Sequence, residues 1–257
     1  MIKKLIPHKI KEAVKKILYK PEWLKIKTGP LQDRLIYLTK NSGLKTMSLG
    51  IHDQDQINFI KEKIDLNGKI IFDVGAHIGY ISMCFAKLVG ENGQVLSFEP
   101  NIYNIERFEK NLEKNQDLSK IIKIYNCALA DKNGTEKFLF NKNIDGGASS
   151  GSFLDKADTA LDRKFYRLFE EKEVKTIKLS DFKDAKPDLI KIDIEGYEGE
   201  LIKNNLDYFK ENGPILVIEI HSILNMYTVL KELLSIGYKI EIIKKETDGR
   251  CDLWCEI

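Results

Sequence analysis

The chain has little of what marks a membrane-spanning, disulfide-bonded or nucleic-acid-binding protein. It holds only 4 cysteines in 257 residues, and Cys251 and Cys255 lack zinc-knuckle spacing. Free thiols in a reducing cytoplasm are the expected state. No apolar run approaches the roughly 20 residues that a transmembrane helix needs. The net charge is only +2 although residues 1–27 alone hold nine lysines and two glutamates. The remainder is therefore mildly acidic, which argues against a nucleic-acid partner.

The basic N-terminal segment, residues 1–48, is separated here from a larger domain, residues 49–257. Apolar residues recur at helical spacing between Ile10 and Leu18, with lysines on the other face. This pattern predicts a basic helical arm followed by a lead-in. Two interpretations stay open. Residues 1–20 lie peripherally on an anionic membrane surface, where each lysine contributes about 1 kcal/mol, or they cover the main domain or a second copy of the chain in a homodimer.

The chain also lacks the third glycine of the G-x-G-x-x-G turn that binds a dinucleotide. It has instead a short apolar run from Ile70 to Val74, typical of a strand buried in a parallel sheet, followed by Gly75-x-x-x-Gly79. Glycines at such a turn let the backbone approach a ligand, and a helix begins there with free N–H groups. Asp73, two residues before the first glycine, suits the cationic amino-acid end of S-adenosylmethionine (SAM) better than a diphosphate.

The next strand ends in Glu99, which is placed to accept hydrogen bonds from ribose hydroxyls. A third strand ends before Ala128 and Leu129, and ligands of open α/β sheets lie beyond the carboxyl ends of strands. Backbone groups there are expected at adenine. The residues predicted to bind SAM are Asp73, Gly75, His77, Gly79, Tyr80, Glu99, Asn101, Ala128 and Leu129. A nicotinamide-dependent oxidoreductase is the main alternative.

Two later strands end in ionisable residues. One is followed by Asp193, Glu195 and Glu198, and the other ends with Glu219 and His221. Three carboxylates at one strand end repel one another, so the first group predicts catalysis or metal binding rather than a structural role. Strand alternation places the last two side chains on one face, and a histidine titrates near neutral pH.

Alternating strands and helices predict an α/β fold. Two final strands joined by a turn predict a seven-stranded, mostly parallel sheet whose last strand is antiparallel. A polar run, Gly146 to Ser152, is expected to be a mobile loop, either a lid that covers the bound cofactor or substrate or a plain surface linker.

Four segments together resemble the FkbM family of SAM-dependent methyltransferases: Asp73 to Tyr80, Phe98-Glu99-Pro100, Lys191 to Glu198, and Glu219-Ile220-His221. The resemblance covers about residues 48–257, and Asp193-Ile194-Glu195-Gly196-Tyr197-Glu198 is its most specific part. It implies a Rossmann-like class I methyltransferase fold. It further implies O-methylation of a hydroxyl on a sugar, a polysaccharide or a related glycosylated natural product.

Such a reaction requires a base that removes the hydroxyl proton while oxygen, methyl carbon and sulfur stand in line. Asp193 and His221 are the candidates for that base, and Glu195 and Glu219 orient the sugar or tune the base. Glu198 and Ser150 are expected to contact the acceptor. A divalent metal at Asp193 is the less favoured alternative. A non-catalytic, membrane-associated binding protein is the remaining one, and the acids at several strand ends argue against it.

Overall fold

The computed structural model describes residues 21–39, 44–141, 151–158, 169–245 and 250–257. A seven-stranded sheet forms the centre of this part of the chain. Its strands are β3 (Ile70–Val74), β4 (Gln94–Phe98), β5 (Ile122–Tyr125), β10 (Leu189–Ile192), β11 (Ile215–Ile220), β12 (Lys239–Lys245) and β13 (Cys251–Glu256).

The order of the strands across this sheet is β12-β13-β11-β10-β3-β4-β5. The five strands from β11 to β5 pair in parallel, and β13 is antiparallel to both of its neighbours. The sheet is therefore mixed, and it has the predicted antiparallel last strand. Successive strands run outward from β3 in one direction and from β10 in the other. This reversal is a topological switch point, where open α/β sheets bind their ligands.

Helices cover both faces of the sheet: α1 (Lys45–Leu49), α2 (Gln54–Lys63), α3 (Tyr80–Val89), α4 (Ile102–Glu113), α5 (Gln116–Ser119), α6 (Glu198–Lys203), α7 (Leu206–Asn212) and α8 (Ile223–Ser235). Neighbouring residues of one strand enter opposite cores, as Ile71 and Phe72 do. Both faces being buried explains why the parallel strands read as continuous apolar runs. None of the helices in the described ranges combines the length and apolar character needed to cross a bilayer.

A second, four-stranded sheet was not predicted. It consists of β6 (Ala128–Ala130), β7 (Gly134–Asn141), β8 (Phe153–Leu154) and β9 (Phe169–Lys178), in the order β6-β9-β7-β8. Ala128 and Leu129, expected in a loop, thus belong to a strand. The predicted covering loop falls mostly outside the described residues, and so does Ser150; only Gly151 and Ser152 are described.

The lead-in to the domain is a hairpin of β1 (Pro21–Lys25) and β2 (Leu35–Thr39). The Tyr37 backbone N–H donates to Asn111 at 2.7 Å and the Asn115 side chain donates to the Leu35 carbonyl at 2.9 Å. The hairpin is therefore packed on α4 as part of the same body. The helix predicted within residues 1–20 lies outside the described residues, so its contact with a membrane or a second copy stays a prediction.

Candidate active site

A cavity of about 430 Å³ lies at the switch point. It is lined by most of the residues that the sequence singled out: Gly75, His77, Tyr80, Glu99, Ala128, Leu129, Asp193, Glu195, Glu219 and His221. The strand register explains the convergence, because Val74 at the end of β3 pairs with Phe98 on one side and Ile192 on the other. The predicted cofactor residues and the predicted catalytic residues therefore face one space.

The two glycines of the turn are required by the packing of the protein. Gly75 has φ +88°, and a Cβ there would lie 1.8 Å from the Asp193 carbonyl oxygen. Gly79 has φ +83°, and its Cβ would lie 2.0 Å from the Phe108 ring. Gly79 is also not among the residues that line the cavity. Gly79 lets the start of α3 pack on α4, and its backbone approach to the cofactor stays a prediction.

Asp73 does not line the cavity either, and its contact with the SAM ammonium, directly or through water, stays a prediction. Its side chain is fully buried, and Oδ2 accepts a hydrogen bond from Ser82 at 2.5 Å. Its Oδ1 lies 4.0 Å from Nζ of Lys191, which in turn donates to Asp193 Oδ2 at 2.9 Å. Burial raises the pKa of Asp73, against the effect of the Lys191 charge. Asp73 therefore reaches the cavity only through a buried lysine.

Glu99 is held by three donors at one end of the cavity. We call it the cofactor end because residues predicted to bind SAM lie there. Its Oε1 accepts from the Asn101 backbone at 2.8 Å and the Asn104 side chain at 3.2 Å, and its Oε2 accepts from the His77 backbone at 2.8 Å. Burial raises the pKa of Glu99 to about 7 despite these hydrogen bonds. Asn101, predicted to bind SAM, is buried away from the cavity and caps α4 by accepting from the Tyr103 N–H. The backbone N–H of Asn101 holds the Glu99 carboxylate in position.

His221 is the centre of the other end. Its Nδ1 lies 2.9 Å from Glu198 Oε1, and its Nε2 lies 3.6 Å from each of Asp193 Oδ1, Glu195 Oε2 and Glu219 Oε1. Glu198 is fully buried, does not line the cavity and also accepts the backbone N–H groups that follow β10. Glu198 therefore orients the imidazole, and its contact with the acceptor stays a prediction.

The charges at this end change the expected roles. Burial would lower the pKa of His221, but the hydrogen bond to Glu198 and the neighbouring carboxylates outweigh it and raise it to about 10. A protonated imidazole has no lone pair with which to take a proton, which favours Asp193 over His221 as the predicted base. The Asp193 charge and burial raise the pKa of Glu219 to about 8. Asp193 is the reverse: burial opposes its ionisation, yet Lys191 and His221 hold its pKa below the usual range.

Three residues that line the cavity carry left-handed backbone without being glycine. They are Asp53 at φ 49°, His77 at φ 51° and Glu195 at φ 54°. Each such residue costs about 1–3 kcal/mol and persists only where its surroundings fix it. Residues of this kind cluster at functional sites, so backbone geometry and ionisable side chains single out the same region.

The comparisons with known proteins agree with this geometry. A model of the Methyltransferase FkbM domain family matches residues 73–240. The chain belongs to the FkbM methyltransferase family. Among curated proteins, the hexuronic acid methyltransferase AglP of Haloferax volcanii is 23% identical over 250 residues, which cover 91% of this chain and 94% of the relative. Membership of this family favours methyl transfer over the oxidoreductase and binding-protein interpretations.

Among solved structures, the methyltransferase FkbM from Methylobacillus flagellatus KT matches with a TM-score of 0.56 and 18% identity. The match covers 78% of this chain and 47% of the other, so the present chain spans about half the length of that protein. At this identity the likeness concerns the fold, which is the α/β fold with a mixed sheet described above.

Several cavity residues of this FkbM domain were missed from the sequence: His52, Asp53, Asn104, Lys191 and Arg250. Lys191 did leave a signal, because it is the one charge inside the apolar run Leu189–Ile192 and a lysine buried in a strand needs an acid partner. Arg250 lies immediately before β13, with its Nη1 3.9 Å from Glu219 Oε1. No sequence pattern indicated that it lines the cavity.

Proposed function

We propose that this protein transfers the methyl group of SAM to a hydroxyl oxygen of a sugar. The observation that carries the proposal is the continuity of one cavity between Glu99 at its cofactor end and Asp193, Glu219 and His221 at its other end. A methyl donor held at the first end and a hydroxyl held at the second would meet near the switch point. Holding the two reactants in this way is itself a large part of the catalysis of methyl transfer.

The cofactor end has the groups that a nucleoside requires. Glu99 would accept the ribose hydroxyls, and Ala128 and Leu129 would lie against adenine at the start of the second sheet. His77 supports this end as a neutral group, because burial lowers its pKa to about 3. The methionine end of SAM would then extend past Gly75 toward Asp193, with the methyl group facing the acidic cluster.

The reaction balances with the groups of this chain. The acceptor oxygen attacks the methyl carbon, the carbon–sulfur bond breaks, and S-adenosylhomocysteine leaves. The hydroxyl proton passes to Asp193, which is ionised and whose Oδ2 is fixed by Lys191 at 2.9 Å. Such positioned proton transfer contributes about 10²- to 10⁴-fold to a rate.

A sugar fits the acceptor end because a sugar presents several hydroxyl donors in a fixed arrangement. Glu195 and Glu219 both line the cavity, and each has a carboxyl oxygen 3.6 Å from His221 Nε2. A site built to accept hydrogen bonds from hydroxyls strongly rejects analogues that lack them. The curated relative that acts on a hexuronic acid supports a sugar as the substrate class. Polysaccharides, other glycosylated natural products and a cytoplasmic location stay within the prediction.

The test is transfer of tritium from methyl-labelled SAM to a panel of neutral glycosides and hexuronic acid glycosides. We expect a labelled methyl ether, which withstands mild alkali. A label released by alkali would show a methyl ester and would contradict the hydroxyl as acceptor. Absence of transfer to every sugar, with transfer to a non-sugar phenol, would contradict the substrate class.

A further inference from the structure

The position of one imidazole nitrogen at the acceptor end is not explained by a hydrogen bond. His221 Nε2 makes no hydrogen bond among the described residues, although three carboxylates surround it. The three separations, to Asp193, Glu195 and Glu219, are each 3.6 Å. Hydrogen bonds from nitrogen to oxygen lie between about 2.7 and 3.2 Å. The four side chains converge on a common point at ion-pair distances, but the carboxylates are too far from Nε2 for a direct hydrogen bond.

The other side of the imidazole is fixed. The His221 side chain is only 9% exposed, and its Nδ1 meets the fully buried Glu198 at 2.9 Å. When a cation replaces the proton on Nε2, the Nδ1–H group still donates to the Glu198 carboxylate and the Nε2 lone pair points at the cation. Histidines that bind metals are usually held by such a carboxylate on their second nitrogen. The imidazole is thus buried, oriented and aimed into the carboxylates.

The distances suit a cation at the point of convergence. One ligand atom from each of Asp193, Glu219 and His221 lies within 4.8 Å of the others. Around an octahedral cation with bonds of about 2.1 Å, neighbouring ligand atoms are roughly 3.0 Å apart and opposite ones roughly 4.2 Å apart. The separations of 3.6 Å from Nε2 fall between these two values. Small side-chain adjustments would complete the geometry.

We propose that Asp193, Glu219 and His221 bind a divalent cation, with Glu195 as a further ligand and Glu198 as the residue that positions His221. Carboxylate oxygens together with an imidazole suit Mn²⁺ among the common divalent ions. The cation takes the place of a proton on Nε2 and offsets the negative charge gathered there. A metal at Asp193, the less favoured alternative from the sequence, is thus the one that we favour from the structure.

The role of the cation rests on the proposed function. A bound cation would hold the acceptor oxygen and lower the pKa of its hydroxyl, so a weakly basic carboxylate suffices to take the proton. Binding of the cation itself does not require that function, and the two can be tested apart.

The experiment measures Mn²⁺ binding to the chelator-stripped full chain by electron paramagnetic resonance, in which free Mn²⁺ gives the sharp signal. We expect saturable binding of one ion per chain. Glu219→Gln and His221→Gln should each weaken it at least tenfold, and Glu198→Gln should weaken it about 10- to 100-fold through the orientation of His221. Glu241→Gln, an acid paired with Lys63 far from the cavity, is the matched control and should bind as the wild type does.

Two results would overturn the proposal: no bound Mn²⁺ in the wild-type protein at millimolar concentration, or binding that survives in both Glu219→Gln and His221→Gln. Calorimetry with SAM on the same samples separates the two claims. SAM binding without Mn²⁺ binding refutes the cation site and leaves the proposed function standing. Mn²⁺ binding without SAM binding refutes the proposed function and leaves the cation site standing.

Discussion

The two ends of the cavity differ in how the protein holds the ionisable group at the centre of each end. At the cofactor end, Glu99 accepts three hydrogen bonds from its own chain and keeps a fixed position. At the acceptor end, Asp193, Glu195 and Glu219 surround His221 without a hydrogen bond to its Nε2. The Glu99 carboxylate is thus held by hydrogen bonds, whereas His221 Nε2 faces its carboxylates at ion-pair distances. Mutations at the two ends should therefore separate cofactor binding from turnover.

The largest expected effect is on turnover. Asp193→Asn keeps the shape of the side chain but removes the base, so turnover should fall about 10³-fold. The SAM dissociation constant, measured by calorimetry, should stay within about twofold of the wild-type value, because the substitution leaves the cofactor end unchanged. Asp184→Asn, the same substitution at an exposed position, is the control and should be fully active. An active Asp193→Asn enzyme would remove Asp193 as the base.

The next effect concerns the boundary between the two ends, where the turn at Gly75 packs closely against the backbone that follows β10. Gly75→Ala should lower the free energy of unfolding by more than about 2 kcal/mol, since it adds a clash to a left-handed backbone. Gly68→Ala is the matched control. Gly68 has a similar φ of +73° but nothing within 4 Å of an added Cβ, so only the backbone cost of about 1 kcal/mol remains. Equal losses in urea denaturation would contradict this close packing.

The smallest effect is on cofactor affinity. Burial raises the pKa of Glu99 to about 7, so this group is ionised above that pH and protonated below it. The ionised carboxylate is the better acceptor for ribose hydroxyls, so SAM should bind more weakly as the pH falls. If only the ionised form binds, the loss approaches tenfold per pH unit well below the pKa, since one unit corresponds to about 1.4 kcal/mol.

Glu99→Gln supplies the control for this pH dependence. It should bind SAM several-fold more weakly than the wild type at pH 8, and its affinity should not change between pH 8 and pH 6. Wild-type affinity that is flat over the same range would show that Glu99 does not meet the cofactor.

The sequence located the site because strand ends are a local property. Asp193, Glu219 and His221 each follow an apolar run, and the carboxyl ends of parallel strands meet at one edge of the sheet. The same rule on strand ends predicts that Glu99, which follows β4, lies at this edge of the sheet. The seven-stranded sheet followed from alternating strand and helix patterns and a final pair of strands.

The contacts that the sequence did not predict join residues that are distant in the chain. Glu198 looked available on α6, but it is buried against His221, which lies 23 positions later in the chain. Gly79 looked like a ligand contact, but it is required by Phe108 on α4. No local pattern encodes either contact. The second sheet was missed for the same reason, since it unites β6 with β9 across a long connection.

The most direct test of the account is a thermal-shift titration of the wild-type protein with SAM and S-adenosylhomocysteine, with NAD as the control ligand. A ligand at one hundred times its dissociation constant stabilises the fold by about 2.7 kcal/mol, which raises the melting temperature of a domain this size by roughly 5–10 °C. We predict this rise with SAM and with S-adenosylhomocysteine, and none with NAD. A rise with NAD alone, or with none of the three, would contradict the account.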